Sequence, residues 1–144
     1  MSLHLKVFLD ANLLIYLNTQ EDGENERTRL EDFYSDLLKE DLFTDLLVLE
    51  EAIYISLSKY HVPYSLTFEL LKSTILPYAS IIPMEEQDLV ATEKYLSKYK
   101  VKPSDAIHLA VMEKKGIAAI ASEDEEFDKV RGIKRMWIKR PKSS

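Results

Sequence analysis

The chain has no cysteine, only three glycines and only five prolines in 144 residues. Without cysteine there is no disulfide, no thiolate nucleophile and no thiolate zinc site. Few glycines and prolines leave little to punctuate the chain, which argues for a compact domain rich in helix over a loop-rich or disordered one. No apolar run approaches the roughly 18 residues of a membrane helix. The first residues lack the basic start, long apolar stretch and small-residue cleavage site of a secretory signal, so the cytoplasm is the expected compartment. No glycine loop suited to cradling phosphate is present, which argues against nucleoside triphosphate hydrolysis. No serine stands in a nucleophile-elbow context.

What the chain does have is apolar content of 46% and charged content of 31%. That is enough for one real core, and a single domain spanning 1–144 is expected. The net charge of −6 argues against a general nucleic-acid binder. The charge is unevenly spread, however. From Lys129 onward every charge is basic: Lys129, Arg131, Lys134, Arg135, Lys139, Arg140 and Lys142. A second basic stretch, "KYLSKYKVK", interleaves Lys94, Lys98, Lys100 and Lys102 with Tyr95 and Tyr99. Such stretches ordinarily solvate an edge or a helix face; on charge alone, Lys102, Arg135, Lys139 and Arg140 are candidate contacts for phosphates.

"LKVFL" reads as a first strand and "ANLLIYL" as the helix after it. "GENERTRLEDFYSDLLKED" spaces Leu30, Phe33, Leu37 and Leu38 as an amphipathic helix, and "TDLLVLEEAIYISLSKY" is apolar nearly all round, as a buried helix is. "PYSLTFELLKSTIL" is helical, "ASIIPM" a short strand ended by Pro83, and "EEQDLVATEKYLSKYK" helical again. "KPSDAIHLAVMEKKG" carries a proline start and a glycine stop. "IAAIAS" is the short, wholly apolar run of a buried parallel strand, followed by a short helix "EDEEFDKV" and a last strand "KRMWIK". Alternating strands and helices predict a three-layer α/β/α sandwich around a mainly parallel sheet.

Acids stand where such a sheet binds ligands, at the carboxyl ends of its strands. Asp10 ends the first strand, between apolar "VFL" and apolar "LLI", where an unpaired carboxylate is costly. Asp124 follows "IAAIA", after Ser122. Asp105 opens a helix, and Glu51 lies in the most apolar helix, with Glu50 in similar surroundings. Each acid alone has an ordinary role as a cap, a dipole partner or a solvated charge. Brought together they repel, and a divalent cation removes that penalty. An all-oxygen donor set suits Mg²⁺ or Mn²⁺, which favour phosphate as a further ligand and serve phosphodiester hydrolysis. His4, His61 and His108 show no metal-ligand spacing. His108, one turn after Asp105, is expected to pack with its polar tip satisfied or to support the acids from behind.

The order and spacing of "FLDAN", "LVLEEAIY", "SDAIHLA" and "IASEDEEF" resemble those of PIN-domain ribonucleases, including the prokaryotic VapC-type toxins, from about Val7 to Trp137. The resemblance implies a PIN-like fold and a Mg²⁺- or Mn²⁺-dependent endoribonuclease. It also implies a dimer, RNA as substrate and a small antitoxin as partner. It assigns metal binding and catalysis to Asp10, Glu51 rather than Glu50, Asp105 and Asp124, with Glu126 or Asp128 as alternatives for the fourth acid. Asn12 and Ser122 would orient water or the ligand carboxylates, and Phe127 would pack behind them. Asp45 stands where a small hydroxyl residue is usual and would alter substrate access. A PIN-fold binding module without useful turnover is the rival reading. An aspartyl-phosphate receiver is a weaker one, since "DAN" lacks the second early acid.

Overall fold

The structure, a computed structural model, describes residues 4–19 and 23–139. Its centre is a five-stranded, all-parallel sheet. Strand β1 (Lys6–Leu9) lies in the middle, with β2 (Asp41–Thr44) and then β3 (Ala79–Ile81) on one side. On the other side lie β4 (Ala119–Ala121) and then β5 (Lys134–Met136). The strands are short, but the central ones are covered on both faces: Val7, Phe8 and Leu9 of β1 and Ile120 and Ala121 of β4 have no solvent exposure. A parallel sheet needs such cover because its connections place helices on the faces.

Those connections are α1 (Ala11–Thr19) and α2 (Gly23–Leu37) after β1, α3 (Leu46–Ser58) and α4 (Tyr64–Leu70) after β2, and α5 (Glu86–Tyr99) and α6 (Pro103–Lys114) after β3. A π-helical turn (Leu71–Ile75) extends α4, and a 3₁₀ turn (Glu125–Lys129) is the whole crossover from β4 to β5. Helix α1 packs on α2 and α3, α3 on α4, and α5 on α6. The result is the three-layer α/β/α arrangement that the alternation of elements implies. Polar pins tie the layers: Asn18 Nδ2 donates to Ser56 Oγ at 2.9 Å and Thr67 Oγ1 at 2.8 Å, joining α1, α3 and α4. Thr44 Oγ1 donates to the Leu9 carbonyl at 3.0 Å, joining the ends of β1 and β2.

Two elements differ from the sequence reading. The stretch "DLFT" is strand β2, not the junction of two helices. It is four residues long and flanked by strongly helical segments, so no period of two could stand out; its pairing with β1 and β3 makes it a strand. Helix α3 is not buried all round. Val48, Leu49, Ala52 and Ser56 face inward, but Leu46 and Tyr54 are exposed. Together with Tyr64 and Phe68 of α4 they line an apolar groove on the outside. Apolarity in the sequence marks such a face without saying what covers it.

Helices α5 and α6 are fastened by Asp88. Its carboxylate accepts from the Glu85 amide at 2.8 Å in a capping box and from Lys114 Nζ at 2.7 Å. Burial alone would raise this carboxyl, but the hydrogen bonds from Lys114 and the amide outweigh it and hold its pKa below the ordinary value. A lowered pKa contributes stability above the unfolded-state value, and that contribution is lost as pH falls through the folded one. Asp88→Ala should therefore destabilise the protein by about 1–3 kcal/mol at pH 7 in urea unfolding. The gap from the parent protein should close under acid conditions.

Candidate active site

Strands β1 and β2–β3 run outward in one direction from the centre, and the chain then crosses to place β4 on the other side of β1. The β1/β4 boundary is thus the switch point of the sheet, where a crevice opens beyond the carboxyl ends of the strands. Leu9 and Ala121 are the last register partners of the two strands. The next residues are Asp10 and Ser122, and the Asp10 amide still donates to the Ala121 carbonyl at 3.1 Å. The register therefore delivers these two side chains to the same spot.

Ser122 Oγ is the hub. It donates to Asp10 Oδ2 at 2.6 Å and accepts from Asn12 Nδ2 at 3.2 Å and from the Asp124 amide at 3.0 Å. One donor and two lone pairs are all used, so the hydroxyl has a single orientation. Asn12 closes the ring by accepting from the Glu123 amide at 3.1 Å through Oδ1. Asp10 Oδ1 accepts from the Ala11 amide at 2.9 Å, and Asp124 Oδ1 from the Glu126 amide at 3.0 Å, as cap of the 3₁₀ turn. Phe127 packs fully buried behind this turn.

Beyond the ring lies an open cleft of about 470 Å³, lined by Asp10, Glu51, Asp105 and Asp124 together. The four acids are supplied by the ends of β1 and β4 and by α3 and α6. Glu51 and Ile55 of α3 and its C-terminal cap Lys59 form one stripe at spacings of four, facing the cleft. Glu50 is exposed and lines the apolar groove instead. Glu126 also reaches the cleft, whereas Asp128 pairs with Arg135 Nε at 2.9 Å. Lys102 lines the cleft and is exposed. Arg135 does not line it: its guanidinium is spent on Asp128 and on the Ser122 carbonyl at 3.2 Å. Lys139 is exposed at the end of the described chain, and Arg140 lies outside the described residues.

Sequence reasoning did not single out Tyr16, Lys59, Tyr60 or Ser104, which line the same cleft. Tyr16 follows Asn12 by four residues on α1, and Lys59, capping α3, follows Glu51 by eight; those spacings were the available signal. Asp45 does not line the cleft. It is fully buried, caps α3 by accepting from the Val48 amide at 2.9 Å, and holds His108 Nδ1 at 2.6 Å through its other oxygen. His108 is itself buried, against Phe8 at 5.3 Å between ring centroids. Burial alone would lower the His108 pKa, but the Asp45 carboxylate raises it above the ordinary value.

The electrostatics are those of crowded, largely buried acids. Burial pushes Asp10 up, and the hydrogen bond from Ser122 only partly offsets this. Glu51 is raised by burial and by the charge of Asp10. Asp105 is pushed up to about 7 by burial and then by Asp10. Oxygens of Asp10 and Asp105 and a ring nitrogen of His108 lie within 4.8 Å of one another. Glu51 and Asp124 stand outside that tight group but on the same cleft wall. Hard, anionic, crowded donors of this kind fit Mg²⁺ or Mn²⁺.

A family model described as the PIN domain matches residues 7–133. No curated protein matches the sequence. Among solved structures, the fold is similar to that of the sarcin-ricin-loop-cleaving toxin VapC20 of Mycobacterium tuberculosis, with TM-score 0.68 and 15% identity over 85% of this chain and 92% of that one. It is also similar to a chain of VapBC2 from Rickettsia felis bound to promoter DNA (TM-score 0.69, 12% identity, 94% and 100% covered). A third is DNA-bound VapBC from Salmonella typhimurium (0.64, 17%, 92% and 98%).

The crowded acids have a consequence for stability. Between about 4 and about 7, folded protein freed of metal holds the Asp105 proton more tightly than unfolded protein does. Its unfolding free energy should therefore fall as pH rises through that window. Asp105→Asn should shrink this fall and stabilise the metal-free protein at pH 8 by on the order of 2 kcal/mol, read by urea unfolding in chelator. An identical pH slope in both proteins would contradict the assignment.

Proposed function

The chain belongs to the PIN-domain family, and we propose that its cleft hydrolyses RNA phosphodiester bonds as a Mg²⁺- or Mn²⁺-dependent endoribonuclease. The observation that carries this reading is the convergence of Asp10, Glu51, Asp105 and Asp124 on one open cleft at the sheet's switch point. Asp10 and Asp105, the deepest pair, would hold the cation directly, with Glu51 and Asp124 reaching it directly or through water. When bound, such a cation supplies Lewis acidity toward the phosphate oxygens and lowers the pKa of an attacking water.

The chain's own residues do the rest. Ser122 and the Ala11 amide fix both oxygens of Asp10 in one orientation, so the carboxylate is set before substrate arrives. Asn12 and Ser122 hold the β4 exit in register with α1, which positions Asp124. Glu126, two residues beyond Asp124, lines the same cleft with its carboxylate paired to Lys129. Lys59 and Lys102 bring positive charge to the cleft rim, where a phosphate backbone would lie. The openness of the cleft suits a polymer passing through better than a small molecule enclosed.

The solved relatives in fold include toxins and toxin–antitoxin complexes. On that support we read the chain as the toxin of such a pair, acting on cytoplasmic RNA, forming a homodimer and restrained by a small antitoxin protein. The exposed apolar groove between α3 and α4 is the specific observation favouring the rival reading, a PIN-fold module that binds a protein or RNA without useful turnover.

With purified protein in Mn²⁺, Asp10→Asn should lower RNA cleavage more than about 100-fold. Unchanged cleavage removes the catalytic assignment, and a parent protein inert toward a broad RNA panel leaves the binding-module reading. Replacing Lys59 and Lys102 with Gln should reduce the salt slope of single-stranded RNA affinity by about 1.4, the value for two lost phosphate contacts.

A further inference from the structure

The tight group of donors under the cleft is not all oxygen. His108 contributes a ring nitrogen within 4.8 Å of carboxylate oxygens of Asp10 and Asp105. Donors about 2.1 Å from one ion stand at most roughly 4.2 Å apart, so the three atoms need only a small closure to share a cation. The histidine is held for such a role. Nδ1 is committed to Asp45 at 2.6 Å, which leaves Nε2 as the nitrogen for a ligand. Asp45 is in turn fixed by capping α3, and the ring is packed against Phe8. His108 and Asp45 are 1% and 0% exposed, so solvent does not compete for the ring. A carboxylate behind a histidine whose other nitrogen faces a metal sets the ring's tautomer and orientation.

From this juxtaposition we infer that His108, oriented by Asp45, is a direct nitrogen ligand in the cleft, and that it gives the site a preference for Mn²⁺ over Mg²⁺. The chemistry follows from donor type. Carboxylates alone serve both ions, whereas imidazole adds affinity for transition-metal ions and little for Mg²⁺, which is bound through oxygen. The inference rests on the metal-site part of the proposed function and deepens it, because a nitrogen donor changes which ion the same acids would hold.

The test uses the full chain stripped with chelator and reloaded with Mn²⁺ or Mg²⁺, followed by calorimetric titration and by pulsed electron paramagnetic resonance of bound Mn²⁺. The parent protein should show a nitrogen coupling to Mn²⁺ that changes when its histidines carry ¹⁵N. His108→Asn should abolish the coupling and weaken Mn²⁺ at least tenfold while changing Mg²⁺ affinity less than about threefold. Asp45→Asn retains a good helix cap, so it should fold, and should weaken Mn²⁺ by a smaller factor. If His108→Asn fails to fold, the coupling in the parent and its reduction in Asp45→Asn decide the matter. Mn²⁺ bound without nitrogen coupling overturns the inference, and so does an unchanged Mn²⁺:Mg²⁺ ratio in His108→Asn. Either result leaves the proposed nuclease standing. Conversely, nitrogen coupling in a protein that cuts no RNA supports the inference and counts against the nuclease.

Discussion

Asp10 and Asp105 are largely buried where they line the cleft, with Glu51 half-buried beside them. Placing unbalanced negative charge there is costly, and burial pushes all three carboxyl groups toward their neutral forms. The surrounding structure is arranged against this cost. Ser122 and the Ala11 amide hydrogen-bond Asp10. The Asp45–His108 pair lies behind it, with the Asp45 carboxylate raising the imidazole pKa. What these contacts do not offset, a bound cation would.

Delivery of the acids is a matter of sheet topology. Because β1 is central and β4 returns beside it, residues 112 positions apart become neighbours through a parallel register. The strands need be only three or four residues long, since the ladder has to fix just one pair of ends. Helices α3 and α6 then bring Glu51 and Asp105 from above. Glu51 and Asp105 stand on helices and Asp10 at the β1–α1 junction, and the hydrogen-bonded ring of Ser122, Asn12 and the Glu123 and Asp124 amides holds the segment that carries Asp124. That rigidity suits a site whose chemistry depends on position.

Asp45 shows how a single local choice spreads. A hydroxyl at that position would cap α3 equally well. The carboxylate caps the helix with one oxygen and fixes His108 with the other. The side chain expected to bear on substrate access is instead buried between α3 and His108.

Sequence alone determined the alternation of elements, the buried character of Val7, Phe8 and Leu9 and of Ala119–Ala121, and the set of candidate acids. Those follow from hydrophobic period and from the cost of carboxylates at apolar junctions, which are local properties. Tertiary structure decided what depends on pairing and facing. It made "DLFT" a strand, because only β1 and β3 supply its partners. It turned Glu51 to the cleft and Glu50 to the groove, because the two share similar neighbours along the helix but different ones across it. It spent Arg135 on Asp128 and Ser122, and joined His108 to Asp45 across 63 residues. No spacing in the chain encodes those contacts; they exist only once the sheet has ordered its strands.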